Sequence, residues 1–148
     1  MFGSDGDIGV SLSYQYLDTL ESQADENSAP SRSDGEVGYS NHQGVLTVGY
    51  SEEQFGFFTQ ASYIGEAKIN VQAADNFYPT GLNELNDRVF VNMGANWNVN
   101  DEFELRFVVD NVFDTKPPYP FPASGGLVTY FRGVLGTYVR VGATVKLW

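Results

Sequence analysis

The chain has 148 residues, a formal net charge of −11, only eight basic residues and no cysteine. Scattered cations in so acidic a chain exclude a nucleic-acid surface, which needs clustered Lys and Arg. The lack of thiols excludes a disulfide framework and leaves the redox compartment open. Aromatic residues reach 15% and glycine numbers 16, a composition suited to a β-rich protein that is either one domain or a piece of a larger one.

Met1 to Asp7 carries neither a basic n-region nor an apolar h-region, so no signal peptide is expected there. No apolar run approaches the roughly 18 residues of a transmembrane helix. The first periodic stretch, Asp7–Asp18, sets Ile8, Val10, Leu12, Tyr14 and Tyr16 against Gly9, Ser11, Ser13 and Gln15. That alternation predicts a strand. Thr19 to Asn41 is acidic and aperiodic and is expected to be a solvated loop. Gln43–Ser51 predicts a second strand with Leu46, Val48 and Tyr50 on its apolar side. A short turn at Ser51–Gln54 leads to a third, Phe55–Gly65, in which Phe58 and Ile64 break an otherwise clean alternation.

After the long, mixed segment Glu66–Asp87, the fourth strand, Arg88–Val99, is the clearest in the chain. Val89, Val91, Met93, Ala95, Trp97 and Val99 share one face, and Arg88, Phe90, Asn92, Gly94, Asn96 and Asn98 the other. A tight turn leads to the fifth strand, with Phe103, Leu105, Phe107 and Val109 opposite Glu104, Arg106, Val108 and Asp110. A proline-rich connection from Asn111 precedes the sixth, with Val139, Val141, Ala143, Val145 and Leu147 opposite Arg140, Gly142, Thr144 and Lys146. Short turns follow strands two and four, and long connections follow strands one, three and five. The pattern predicts an all-β, antiparallel up-and-down meander of about six strands with every long connection at one end. All six prolines lie in the long connections, as expected of a residue that removes a ladder donor.

Apolar strand faces can pack on a second sheet, as in a soluble sandwich or small-barrel binding module, or meet lipid. Strands of about 9–11 residues suit a bilayer crossing. Short turns at one rim, long loops at the other and aromatic girdles are the habits of outer-membrane barrels. Tyr14, Tyr16, Tyr50, Tyr63, Trp97 and Tyr138 lie near strand ends, where girdles are expected.

The run Glu104-Leu105-Arg106-Phe107-Val108-Val109-Asp110-Asn111-Val112-Phe113-Asp114-Thr115-Lys116-Pro117-Pro118 resembles the penultimate strand of TonB-dependent outer-membrane receptors, closed by an Asn-aliphatic-Phe-Asp element. Tyr138 to Trp148 is similar to that family's closing strand, with its C-terminal aromatic assembly signal. Leu46–Tyr50 and Tyr63–Glu66 follow the family's habits two hairpins earlier. The chain departs from the pattern where Thr137 follows Gly136, and where Leu147 takes the usual Phe slot and Trp148 overhangs it. Nothing matches the plug domain, the TonB box or the earlier barrel strands.

The resemblance implies the C-terminal part of a partial transmembrane β-barrel in the bacterial outer membrane, from a receptor that takes up a siderophore or other nutrient. It implies contact with outer-membrane lipid, the barrel-assembly machinery and the remainder of the receptor. A small-molecule ligand is implied for the intact parent, and TonB only through the missing N-terminal part. Receptors of this kind close with about 22 strands. Six strands leave two open edges, whose unsatisfied backbone groups cost several kcal/mol each in hydrocarbon. The chain is therefore expected to be a fragment, with a self-associating small barrel as a third reading.

No catalytic or cofactor site is expected: His42 is the single histidine and reads as a solvated turn residue. The acidic stretch Asp18–Glu36 lacks the spacing of a dedicated calcium loop, so no metal site is expected. Arg88, Asn92, Asn96 and Arg106 are candidate lumen-lining residues, which either meet a solute or satisfy one another across strands. Phe77, Tyr78, Tyr119 and Phe121 are candidate ligand-capturing loop aromatics. Pro117–Pro122 reads as a stiff loop rather than a polyproline ligand. Asn111 and Asp114 are expected to cap the strand exit and Phe113 to anchor at the interface. The resemblance makes Val145, Leu147 and Trp148 the assembly signal.

Overall fold

The computed structural model describes residues 6–74, 76–119 and 126–146. Along the chain lie β1 (Asp7–Tyr16), β2 (Glu21–Ser22), β3 (Ser31–Arg32), β4 (His42–Ser51), β5 (Phe55–Ile64), β6 (Ala67–Lys68) and β7 (Glu84–Leu85). There follow β8 (Arg88–Asn98), β9 (Phe103–Asp110), the short helices α1 (Gly126–Thr129) and α2 (Phe131–Leu135), and β10 (Tyr138–Val145). The six long strands form one sheet in the order β1-β4-β5-β8-β9-β10, every neighbouring pair antiparallel. This is the expected up-and-down meander, and it is open: the outer edges of β1 and β10 have no partner strand among the described residues.

Pairing keeps the two faces in phase across the sheet. One row joins Val10, Val48, Thr59, Met93, Val109 and Val139. The row starts near the turn end of β1 and leaves β10 one residue from its long-connection end. Strands staggered in this way are tilted relative to a common axis, as barrel closure requires.

Phe58 and Ile64 now have an explanation, because the register puts both on the polar face: Phe58 opposite Gly94 and Ile64 opposite Arg88. The Phe58 ring lies where a Cβ on Gly94 would stand. A small residue on one strand thus seats a large one on its neighbour. Tyr138 is a correction to the girdle expectation, since its pairing with Asp110 sets it on the polar face. Tyr14, Tyr16, Tyr50, Tyr63 and Trp97 all fall on the apolar face by register.

No second sheet covers the apolar face among the described residues. Leu12 and Val141 are each 73% exposed and Trp97 is 51% exposed, while Val91 and Leu105 are half-buried by strand neighbours. The buried residues sit elsewhere, on the polar face and under the long connections: Phe90, Leu85, Tyr130, Asn92, Ser62 and Asn111. A soluble sandwich requires the reverse.

The long connections are more ordered than aperiodic sequence implies. In the first, β2 and β3 form a two-residue hairpin, and Asp34 and Ser40 are buried, so this acidic stretch is not wholly solvated. In the second, β6 pairs with β7. The two connections join where Glu36 bridges Lys68 in parallel, with Lys68 N donating to Gly35 O at 2.7 Å and Val37 N to Lys68 O at 3.1 Å. His42 is the first residue of β4 rather than a turn residue; it shares a 2.7 Å hydrogen bond with the Tyr14 hydroxyl through Nδ1.

Candidate functional site

The polar face at the long-connection end is the most elaborated part of the molecule, and Asn111 is its hub. The chain leaves β9 through Asn111 with φ 51°, a left-handed conformation that Asn tolerates better than most residues. This kink brings the Asn111 side chain, fully buried, into the crook of the third connection. Its Nδ2 donates to Thr115 O at 3.0 Å and Arg132 O at 3.3 Å, and its Oδ1 accepts from Thr115 N at 2.9 Å. Its N–H donates to Asn92 Oδ1 at 3.0 Å, and its carbonyl accepts from Thr137 Oγ1 at 2.9 Å. One residue therefore ties β8, both arms of the third connection and the entry to β10. Asp114 also has φ 51°, and its Oδ1 meets Lys116 Nζ at 2.7 Å. That ammonium holds the Asp114 carboxyl below the usual carboxylate range.

From this hub the third connection crosses the polar face. Tyr130, between α1 and α2, is fully buried, and its hydroxyl has no hydrogen-bond partner among the described residues. Burial pushes its pKa up, with Arg88 opposing the shift. Thr129 Oγ1 stands 3.7 Å from the position of a Cβ on Gly38, in the first connection. Since that connection joins β1 to β4 and the third joins β9 to β10, the contact spans β5 and β8.

Of the candidate lumen residues, Arg88 and Asn92 are held within the protein. Arg88 Nε donates to Lys116 O at 3.1 Å and an Nη to Asp87 O at 2.7 Å, and Asn92 is taken by Asn111. Arg106 Nε lies 2.7 Å from Glu104 Oε1 on its own strand. Asn96 packs over Gly56, whose missing Cβ leaves room for its amide. Phe77 is exposed and makes an edge contact with Tyr78 at 5.0 Å between ring centres. Tyr119 is 85% exposed, and Phe113 is also exposed. Val145 ends β10 on the apolar face, whereas Phe121, Leu147 and Trp148 lie outside the described residues.

Between the first and second connections is a cavity of about 420 Å³ lined by Arg32, Asp34, Asn41, Lys68, Gln72 and Glu84 among others. Arg32 Nη2 meets Asp34 Oδ2 at 2.6 Å, and Leu20 N donates to Asp34 Oδ1 at 3.2 Å. Both hold the Asp34 carboxyl below its ordinary range, Arg32 foremost. A second cavity, of about 280 Å³, shares Lys68, Val71 and Glu84 with the first and adds Tyr78 and Pro79. Sequence reasoning missed Tyr130 and the Lys68–Glu84 rung, because neither carries a periodic signal. Among the described residues no three His, Cys, Asp or Glu side chains converge as a metal site would need.

An exposed apolar face, a tilted antiparallel meander and ordered connections gathered at one end are the features of a piece of membrane barrel wall. Neither a curated protein nor a solved structure matches the chain. The family model described as TonB dependent receptor-like, beta-barrel matches residues 2–112, well over half the chain. The match runs from β1 through β9, and the closing-strand resemblance lies beyond it. Proteins of this family are outer-membrane receptors of the transporting kind, and this chain belongs to the TonB-dependent receptor β-barrel family.

Proposed function

We propose that the chain is the C-terminal part of such a receptor's barrel, seated in the bacterial outer membrane with its long connections facing the outside. The whole receptor takes up a siderophore or other nutrient, and this part supplies wall and external recognition surface. The observation that carries the reading is the apolar face, which has exposed residues in all six strands and no buried residue among those described, while Phe90, Asn92 and Ser62 on the polar face are buried. Residues that would be driven together in water are left apart here, as they are where the surrounding medium is hydrocarbon.

In this reading the open edges of β1 and β10 pair with the remainder of the barrel, because unpaired backbone is not tolerated in lipid. Val145, Leu147 and Trp148 present the assembly signal to the barrel-assembly machinery, and TonB engages the N-terminal part of the receptor. Asn111, Asp114 and Phe113 are structural at the exit of β9. Phe77, Tyr78, Tyr119 and Phe121 contribute to ligand capture, and Asn96 and Arg106 face the passing solute. Arg88 and Asn92 buttress the third connection instead of meeting solute, which is supported by their bonds to Lys116, Asp87 and Asn111.

Expression of the chain behind a secretion signal tests the reading. Outer-membrane fractionation with heat-modifiable migration is expected; a freely soluble, compact monomer contradicts it.

A further inference from the structure

The β6–β7 hairpin sets Lys68 directly opposite Glu84, at the separation where opposite charges ordinarily pair. Their charged ends nevertheless form no ion pair within 4.0 Å, and among the described residues neither has another side-chain partner. The backbone around this open rung is pinned on both sides. Lys68 is bonded to Gly35 and Val37 of the first connection. Ile69 N donates to Asn83 O at 3.0 Å, Asn70 N to Asn83 Oδ1 at 3.0 Å, and Asn83 Nδ2 to Asn70 O at 2.9 Å. A neighbouring cation is already engaged, because Arg32 is bound by Asp34. Lys68 and Glu84 line both cavities described above, and beside them lie Val71, Tyr78 and Pro79.

We infer that Lys68 and Glu84 receive the carboxylate and ammonium groups of a free α-amino acid whose apolar side chain lies against Val71, Tyr78 and Pro79. An amino acid carries its two charges on one carbon, so it fits one rung of a hairpin. A peptide, with its charges at opposite ends, does not. Each ionic group of the ligand meets the opposite charge, and neither Lys68 nor Glu84 must give up an existing partner to bind it. The inference rests on the outward placement of the connections proposed above.

The test is a titration of the full 148-residue chain in detergent micelles with L-leucine, N-acetyl-L-leucine, L-leucinamide and glycyl-L-leucine. Leucine is expected to bind at least about tenfold tighter than each of the other three, the effect of one charge-assisted hydrogen bond. K68Q should abolish the preference over leucinamide, and E84Q the preference over the N-acetyl compound. The swapped variant K68E/E84K keeps both charges on the rung and should restore binding, while protection of the Ile69 amide from hydrogen exchange reports an intact hairpin. Equal binding of all four probes, or wild-type binding by K68Q and E84Q, overturns the inference. Outer-membrane fractionation without a leucine preference sinks this inference alone; leucine preference in a chain that stays soluble sinks the membrane reading alone.

Discussion

The two faces of the six-stranded sheet invert the arrangement of a water-soluble protein. On the apolar face Leu12, Leu46, Trp97 and Val141 are exposed, with nothing packed over them among the described residues. On the polar face Asn92, Ser62, Asn111 and Phe90 are buried. Burial of polar groups is tolerated there because they bond to one another, as Asn92 does with Asn111. The contrast teaches that the two faces were shaped by different surroundings: hydrocarbon on one side, a polar and partly filled lumen on the other.

The hardest blow to this contrast is a charge placed in lipid. Leu46→Arg, near the middle of β4 on the apolar face, should cost about 2–4 kcal/mol of stability in bilayers, the depth-dependent price of a cation near the midplane. Thr47→Arg, one residue on and facing the polar side, should cost little. Urea unfolding of the two variants in vesicles compares them directly. On the polar face, Asn111→Ala should cost about 3 kcal/mol, because it removes three side-chain hydrogen bonds at a fully buried site and imposes a left-handed backbone on Ala. Asn111→Gly relieves the backbone part and should recover about 1 kcal/mol of it. Gly94→Ala drives a methyl into the Phe58 ring and should cost about 1–3 kcal/mol as overpacking. Adding Phe58→Ala should cancel part of that loss, which a double-mutant cycle reads.

Two smaller effects sharpen the picture of the connections. The folded Asp34 carboxyl titrates below its ordinary value, so its stabilising contribution is complete above that value and is lost as pH falls through the folded one. Protection of the Leu20 amide, which donates to Asp34, from hydrogen exchange should therefore fall below about pH 4, and Asp34→Asn should flatten that response. Tyr130→Phe should be neutral or slightly stabilising, since the buried hydroxyl it removes has no partner among the described residues. A marked loss of thermal stability in that variant would reveal a bond the structure does not contain.

The barrel strands were legible because membrane-facing alternation is a local, repeated signal. Asp7–Asp18, Gln43–Ser51, Phe55–Gly65 and Arg88–Val99 each end within two residues of the observed strands. Phe58 looked like a fault because its reason, Gly94, lies on another strand and only the register joins them. The hairpins β2–β3 and β6–β7 were not legible, since two-residue strands show no period and are held by side-chain and backbone bonds across connections. Helices α1 and α2 were hidden in a Gly- and Pro-rich, β-branched stretch with little helical propensity. For the site, Asn111 was marked as a strand exit, but its bonds reach residues from 92 to 137 and were invisible in one dimension. Whether Arg88 and Asn92 meet a solute or bond within the protein was open in one dimension for the same reason.

If one side of this sheet meets lipid, a nitroxide scan of β4 will report it strand position by strand position. Single cysteines at residues 45 to 49, in a chain with no cysteine of its own, would be spin-labelled in bilayers. Collisions with oxygen, which concentrates in hydrocarbon, and with a water-soluble nickel chelate would then be measured. High oxygen and low nickel access is expected at Leu46 and Val48, and the opposite at Val45, Thr47 and Gly49. Uniform nickel access along the strand, or oxygen access peaking at Val45, Thr47 and Gly49, contradicts it.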